Sequence, residues 1–464
     1  MISLPFQLSP SPVPVQAARL GWFPLLTDVR KHLRLWIAPA LLALAAPLVH
    51  GDSTAEYADF YTGKDGAKTK TDNWVQSISV SAPPYCSEIK GDTTVTFTAP
   101  GMTHAQVLCW QQPSEKDQAP SGHDAVVADL TIDPSGAGSF VFHADQFPNG
   151  PIILRIQTKG AGDKQDTCQL QLFNQGGAVW NQGIPKTDPP AAKGMKIAFS
   201  DDFDQKLSVS VTGDGATYEG HKTGGGDFSG WPFTSPGGAL DPFGQVGTWL
   251  RIHASKPPGT KGSTGILSSA HEDGTGFLAK APAYFECRLI AQSAPGTWPA
   301  FWLLTKKKDP KDKKEPTVEL DIIEAYGGMG PKNPNSNDYA CTSHIWGQPR
   351  PAWQLEKGRD GKQVHPAHVN VPMTTLGDKS TWSTTFHTYG CLITPTDTVY
   401  YLDDIEVLRH PTHDVSKTEP FFFMINYAIG GISRWHIDLA RYGQQSDMWV
   451  DYVRVYTGEA TALK

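Results

Sequence analysis

From Trp74 to Leu172 the chain is a succession of short runs in which apolar and polar residues alternate, separated by Gly, Pro and Asp. Residues 75–81, 94–98, 107–111, 125–131, 139–143 and 152–157 are of this kind. Alternation with a period of two marks a strand with one face buried and the other in water. About seven such strands within about 100 residues are what an immunoglobulin-like β-sandwich needs, so residues 74–173 are expected to form one. Residues 174–194 break the pattern with Gly176-Gly177, Pro185 and Pro189-Pro190, and read as a Pro/Gly linker. The residues that carry chemistry lie beyond it, in 195–459.

Among these, Val318-Glu319-Leu320-Asp321-Ile322-Ile323-Glu324-Ala325 stands out, because it sets three carboxylates in a run of Leu and Ile. Acidic residues are depleted in strands. Regular alternation puts Glu319 and Asp321 on one face and Leu320 and Ile322 on the other, but leaves Glu324 out of phase, with its charge in the core. A one-residue β-bulge near Ile322-Ile323 absorbs one position and returns Glu324 to the face of the other two acids. Two carboxyl groups about 5–5.5 Å apart suit a retaining glycosidase, one attacking the anomeric carbon and the other protonating the leaving oxygen. Strand spacing alone holds the glutamates farther apart, so a concave sheet and leaning side chains must close the gap. Crowding also pushes the three pKa values apart, which lets one glutamate stay an anion while another keeps its proton. A solvated acidic edge strand or a calcium site are the bland alternatives; bulge register, apolar flanks and the following Gly327-Gly328 argue against them.

Glu-Leu-Asp-Ile-Ile-Glu resembles the signature of glycoside hydrolase family 16 in its bulged form. Phe199-Ser200-Asp201-Asp202-Phe203 resembles the family's opening, and Gly296-Thr297-Trp298-Pro299-Ala300-Phe301-Trp302 the strand before the catalytic one. Phe386-His387-Thr388-Tyr389-Gly390, Asn426-Tyr427-Ala428-Ile429-Gly430-Gly431 and the run from Met448 to Tyr456 resemble its later strands, in the right order. The resemblance covers residues 195–459 and implies an all-β fold, with a concave β-jelly-roll sandwich as catalytic domain behind the immunoglobulin-like one. It implies endo-hydrolysis of internal β-linkages of a polysaccharide with retention through a covalent glycosyl-enzyme; the bulged motif is shared by enzymes cutting β-1,3-glucans, mixed-linkage glucans, bacterial exopolysaccharides and sulfated galactans, and a β-1,3 or β-1,3-1,4 glucan is the substrate expected here. Glu319 would be the nucleophile, Glu324 the acid/base, and Asp321 the acid that tunes and orients Glu319. Trp298 and Trp302, four apart on one strand face, would floor the subsite next to the scissile bond. His344 would sit in the cleft with Trp346 on the same face, and Asn426 and Trp435 carry over from the later strands as further substrate contacts. The chemistry needs no cofactor and no metal ligands are assigned, though a structural calcium occurs in relatives. Two rivals stay open: a transglycosylase on the same fold, and a non-catalytic carbohydrate-binding jelly-roll protein, which would have no use for three crowded acids.

Composition narrows the rest. At 464 residues the chain exceeds one ordinary core. With Gly 45, Pro 37 and Trp 14, it has the profile of a turn-rich β protein with indoles to spare for sugar faces. A formal net charge of -7 without a basic stripe argues against nucleic acid as a partner. Arg30, Lys31 and Arg34 precede an apolar stretch, 35–49, that is short and Pro-broken. Residues 1–51 therefore read as a leader with a secretory signal peptide, its start near Arg30, giving a secreted or periplasmic monomer with no stable membrane insertion. The six cysteines fall three to each domain, and neither bridges nor free thiols can be assigned from their spacing. Two loops complete the reading: a Gly- and aromatic-rich stretch, 218–247, at the cleft rim, and a Lys-rich hairpin loop, 306–315, taken as solvated.

Overall fold

The computed structural model describes residues 74–458 apart from 112–121, 180–181, 310–311, 313, 329–334, 356–366, 377–379 and 432–435, and adds 462–463. The leader, 1–51, lies outside the described residues. Strands dominate, and among the described residues the α-helix is the five-residue Asp414–Thr418. No described helix is long and apolar enough to cross a membrane.

The first sandwich pairs a three-stranded sheet (Ser79–Ala82, Asp92–Thr98, Ala137–His143) with a five-stranded one. The latter runs Ser87–Ile89, Gln165–Asn174, Gly150–Gly160, Met102–Gln111, His123–Thr131. Five of the alternating runs named from the sequence fall wholly on strands, and 75–81 joins one only from Ser79. Ser87–Ile89 and Gln165–Asn174 were not among them. The second was obscured because it is buried on both faces: Cys168, Leu170 and Leu172 point into the sandwich core, while Gln169, Gln171 and Phe173 are buried against the rest of the chain.

Two larger sheets form the second part. One contains, in order, Val209–Ser210, Tyr218–Glu219, Ile266–Ser268, Phe421–Ile429, Thr297–Thr305, Thr317–Glu324, Tyr339–Trp346 and His368–Val371. The other runs Phe243–Val246, Trp249–Ser255, Gln445–Thr457, Ala283–Ala291, His387–Ile393, Asp397–Leu402, Ile405–Pro411. Phe301, Leu303, Leu320, Ile322, Ile323, Phe423 and Ile425 of the first sheet join Leu250, Ile252, Phe285, Cys287, Leu289, Val450 and Val453 of the second in one fully buried core. This is a two-sheet sandwich of jelly-roll type, and the face of the first sheet turned away from that core carries the acids.

The described residues belong to one compact unit, with the first sandwich packed on the second sheet. Phe173 is wedged between Trp449 (centroids 5.1 Å apart) and Trp249 (5.6 Å) on the outer face of the second sheet. Gln171 donates to the carbonyl of Asp447 at 2.7 Å and accepts from its amide at 2.8 Å, so a buried side chain replaces a strand partner. Gln169 accepts twice across the same boundary, at its backbone carbonyl from Gln292 Nε2 (2.7 Å) and at its Oε1 from the Ser293 amide (2.9 Å). Asp166 and Arg441 form a buried ion pair at 3.1 Å across the same boundary. Within the first sandwich, Tyr85 is buried edge-on against Tyr442 and Trp110 is buried too.

Candidate active site

The acidic strand, Thr317–Glu324, departs from regular pairing where the sequence phase demands. Against Thr297–Thr305, Glu319 faces Leu304, Leu320 faces Leu303 and Asp321 faces Trp302, but Phe301 is then opposite Ile323 and Ala300 opposite Glu324. Ile322 is the spare residue. On the other side, Asp321 faces Thr342 and Glu324 faces Ala340, so two steps on the partner match three here. Ile322 and Ile323 both sink into the core, which leaves Glu319, Asp321 and Glu324 on the outer face.

Each acid is then placed in a different field. Glu324 is 8% exposed, and burial together with the charge of Glu319 pushes its carboxyl up to about 7. Tyr326 opposes this by donating to Glu324 Oε1 at 3.2 Å. Asp321, also buried, is held well above the usual carboxylate range by desolvation and by the charges of Glu324 and Glu319. Its Oδ2 lies 3.4 Å from His344 Nε2. Glu319 is less covered; burial raises it, but the Lys222 ammonium and a 3.2 Å bond from the Trp346 indole N–H to Oε2 favour its anion. The row therefore holds one carboxyl poised to carry a proton near neutrality and a second, also raised by burial, that a cation and an indole N–H draw back toward its anion.

The neighbouring strands contribute as follows. His344 and Trp346 share a face and stack at 5.3 Å, with Trp346 half exposed beside Glu319. Trp298 and Trp302 also share the cleft face, but each is only 6% exposed. Trp298 stacks on Tyr326 at 5.1 Å, and the Phe228 ring meets Trp298 and Trp302 edge-on at 5.5 and 5.9 Å. The indoles are thus covered by the chain itself rather than laid open as a bare floor. Asn426 is fully buried; it accepts from Trp302 Nε1 at 2.7 Å and donates to the Trp298 carbonyl at 3.4 Å, so it braces the tryptophans from within the sheet. Trp435 lies outside the described residues.

Sequence reasoning missed Lys222, Phe228 and Tyr326. The first two sit in the 218–247 stretch, where no periodicity says which side chain turns inward; Tyr326 falls two residues past the strand it serves, in its phase. In the 306–315 loop, Lys307 bonds the Asp312 carbonyl and the exposed Lys308 pairs with Glu419.

For a metal, two groups of donors converge among the described residues. Glu319, Asp321 and His344 have donor atoms within 4.8 Å of one another, as do Cys86, His253 and Asp447. In the second, the counter-charge is already supplied by Arg251, 2.8 Å from Asp447 Oδ2. All six cysteines are free thiols.

No family model matches the chain. It is 29% identical over 280 residues, 56% of its length, to "Endo-1,3-1,4-beta-glycanase EglC" of Rhizobium meliloti (strain 1021), of which this covers 52%. It is 26% identical over 184 residues, 37% of its length, to "Beta-glucanase" of Rhodothermus marinus, covering 56% of that protein. The chain thus spans about half the length of these curated relatives. Among solved structures, the laminarinase from Rhodothermus marinus aligns at 23% identity and TM-score 0.40, over 57% of this chain and 98% of that one. SCLam, described as a non-specific endo-beta-1,3(4)-glucanase from family GH16, aligns at 21% identity and TM-score 0.40, over 60% of this chain and 96% of that one. The likeness of this chain to the laminarinase and β-glucanase group of glycoside hydrolase family 16 rests on its ordered motifs and on its named sequence relatives together.

Proposed function

We propose that the chain is an endo-acting β-glucanase that hydrolyses internal β-1,3 or β-1,3-1,4 linkages with retention of configuration. The observation that carries the reading is the bulge at Ile322, which sets Glu319 and Glu324 on one outer face, both raised by burial, with the charge of Glu319 raising Glu324 further. In the first step Glu319 attacks the anomeric carbon while Glu324 gives its proton to the glycosidic oxygen, and the C–O bond to the leaving chain breaks. In the second, Glu324, now a carboxylate, takes a proton from water as the water oxygen attacks the same carbon and frees Glu319. Asp321, buried between them, disfavours a second negative charge in the row.

The relatives' printed activities support a glucan, and the Lys/Arg-then-apolar stretch at 30–49 supports export to the periplasm or the medium. The 74–173 module, proposed as immunoglobulin-like, then serves as a fixed support for the second sheet rather than as a sugar-binding unit. A reducing-end assay on laminarin, mixed-linkage β-glucan, cellulose and agarose tests the function. Activity on laminarin or mixed-linkage glucan, with a fast fall in viscosity, is expected. Activity confined to agarose, or release of single glucose units without loss of viscosity, would refute the assignment.

A further inference from the structure

The bulge that turns Glu324 outward leaves a gap in the ladder, and one core side chain meets it. Against Tyr339–Trp346, Asp321 stands opposite Thr342 and Glu324 opposite Ala340, so Cys341 faces both Ile322 and Ile323. A spare residue disrupts the ladder locally, and its peptide groups need partners beyond those of regular pairing. Cys341 supplies one: its thiol donates to the Ile322 carbonyl at 3.1 Å. The side chain is fully buried, on the core side of the sheet with Ile322 and Ile323, behind the acids. A thiol suits the place, being a small hydrophobe that still carries a donor. Past the bulge, bonding to Thr297–Thr305 continues where the Ala325 amide donates to the Pro299 carbonyl at 3.1 Å.

We propose that Cys341 is a positioning residue for Glu324: its thiol clamps the Ile322 carbonyl and so holds the spare residue in place, and with it the outward phase of Glu324. This deepens the hydrolase reading above and rests on it for the kinetic consequence. The clamp grips the one residue of the strand that neither neighbouring strand pairs. The chain neighbours of Cys341, Ala340 and Thr342, stand opposite Glu324 and Asp321, so the clamp and both acids share one short piece of ladder. Side chains alternate along a strand, so moving the spare residue past Glu324 would turn that carboxyl to the other face. Even a shift of about 1 Å in a reacting group can cost about 10²-fold in rate. Cys341 itself, buried behind the sheet, makes no contact with a glucan in the cleft. Its effect therefore belongs to the rate of reaction rather than to binding.

The test compares wild type with Cys341→Val, which keeps an apolar side chain and removes the donor, and with Cys341→Ser, which keeps a donor. Hydrogen exchange of the amides in 320–326, read by mass spectrometry on the full chain, reports the bulge without substrate. The kinetic constants on the preferred glucan report the consequence. In Cys341→Val, exchange over 320–326 should rise roughly tenfold while the rest of the sheet keeps its protection. Its kcat should fall roughly tenfold or more, with KM within about twofold of wild type. Cys341→Ser should return both readings towards wild type. Cys341→Ala, which also lacks a donor, should behave as Cys341→Val does, and replaces it should the valine variant fold poorly. Unchanged exchange in the variants without a donor, equal losses in Cys341→Ser and Cys341→Val, or a loss confined to KM would make Cys341 a filler of the core and overturn the proposal. Because the exchange measurement needs no substrate, it decides the clamp even if wild type cleaves none of the glucans and the functional reading fails.

Discussion

Tyr326 donates its hydroxyl to Glu324 Oε1 at 3.2 Å while its ring lies stacked on Trp298 at 5.1 Å between centroids. One side chain thus locks the cleft tryptophan and the proposed proton donor into a common arrangement. The bond stabilises the Glu324 carboxylate, so Tyr326→Phe should keep the stack and release that stabilisation. Glu324 would hold its proton to higher pH, and the alkaline limb of kcat/KM should move upward. A limb that moves downward, or a variant that loses its fold, would show that the hydroxyl has another role.

In the wild-type enzyme the same limb is predicted to lie near neutrality. Glu324 must be protonated to serve the first step, and its pKa is raised to about 7 by burial and by Glu319. Activity should therefore fall as pH rises through about 7, a value that belongs to the coupled row of acids. A pH–rate profile flat to pH 9 would contradict this.

The register of the acidic strand was legible because charge and phase conflict there: only a spare residue at Ile322 or Ile323 rescues Glu324 from the core. The longer sandwich strands were legible where one face met water, whereas the three-residue Ser87–Ile89 is too short to show a period. Gln165–Asn174 escaped because both its faces are buried, one by polar residues, so no alternation survives. The docking of the two sandwiches was hidden for a related reason. Its contacts are Gln169, Gln171 and Asp166, residue types that on a strand read as solvent-facing. The covering of Trp298 and Trp302 was hidden too, since a Gly-rich loop leaves the direction of Phe228 and Lys222 free until tertiary packing fixes it.

That docking makes a stability prediction. Arg441→Met should leave Asp166 buried beside the amides of Ser77 and Ile78 without its cation. Breaking one side of a buried pair costs about 3–5 kcal/mol, readable as a lower midpoint in urea unfolding. Asp166→Asn, which keeps the amide contacts partly satisfied and removes the charge, should cost less. A midpoint unchanged in Arg441→Met would mean that the boundary between the sandwiches opens freely.

Truncation tests the same boundary from the other side. A chain beginning at residue 195 would bare Trp249, Trp449 and Ile290, which pack with Phe173 and Ile153 of the first sandwich. It should aggregate or melt at lower temperature than the full chain, even though the acidic row is intact. Equal melting of the two would show that the first sandwich is a passive appendage.

The roles of the two glutamates are the centre of the account, and Glu319→Ala and Glu324→Ala in the presence of azide separate them most directly. With an activated aryl β-glucoside, whose leaving group needs no proton, Glu324→Ala should still form the glycosyl-enzyme on Glu319 but resolve it slowly. Azide, fitting where the general base was removed, should then restore turnover by at least tenfold and give the β-glycosyl azide. Glu319→Ala should give the α-azide at best, by direct attack from the vacated side. Proton NMR of the products reads the anomer. A β-azide from Glu324→Ala, and none from Glu319→Ala, is the predicted result; an α-azide from Glu324→Ala with the β-azide from Glu319→Ala would contradict it by exchanging the two roles.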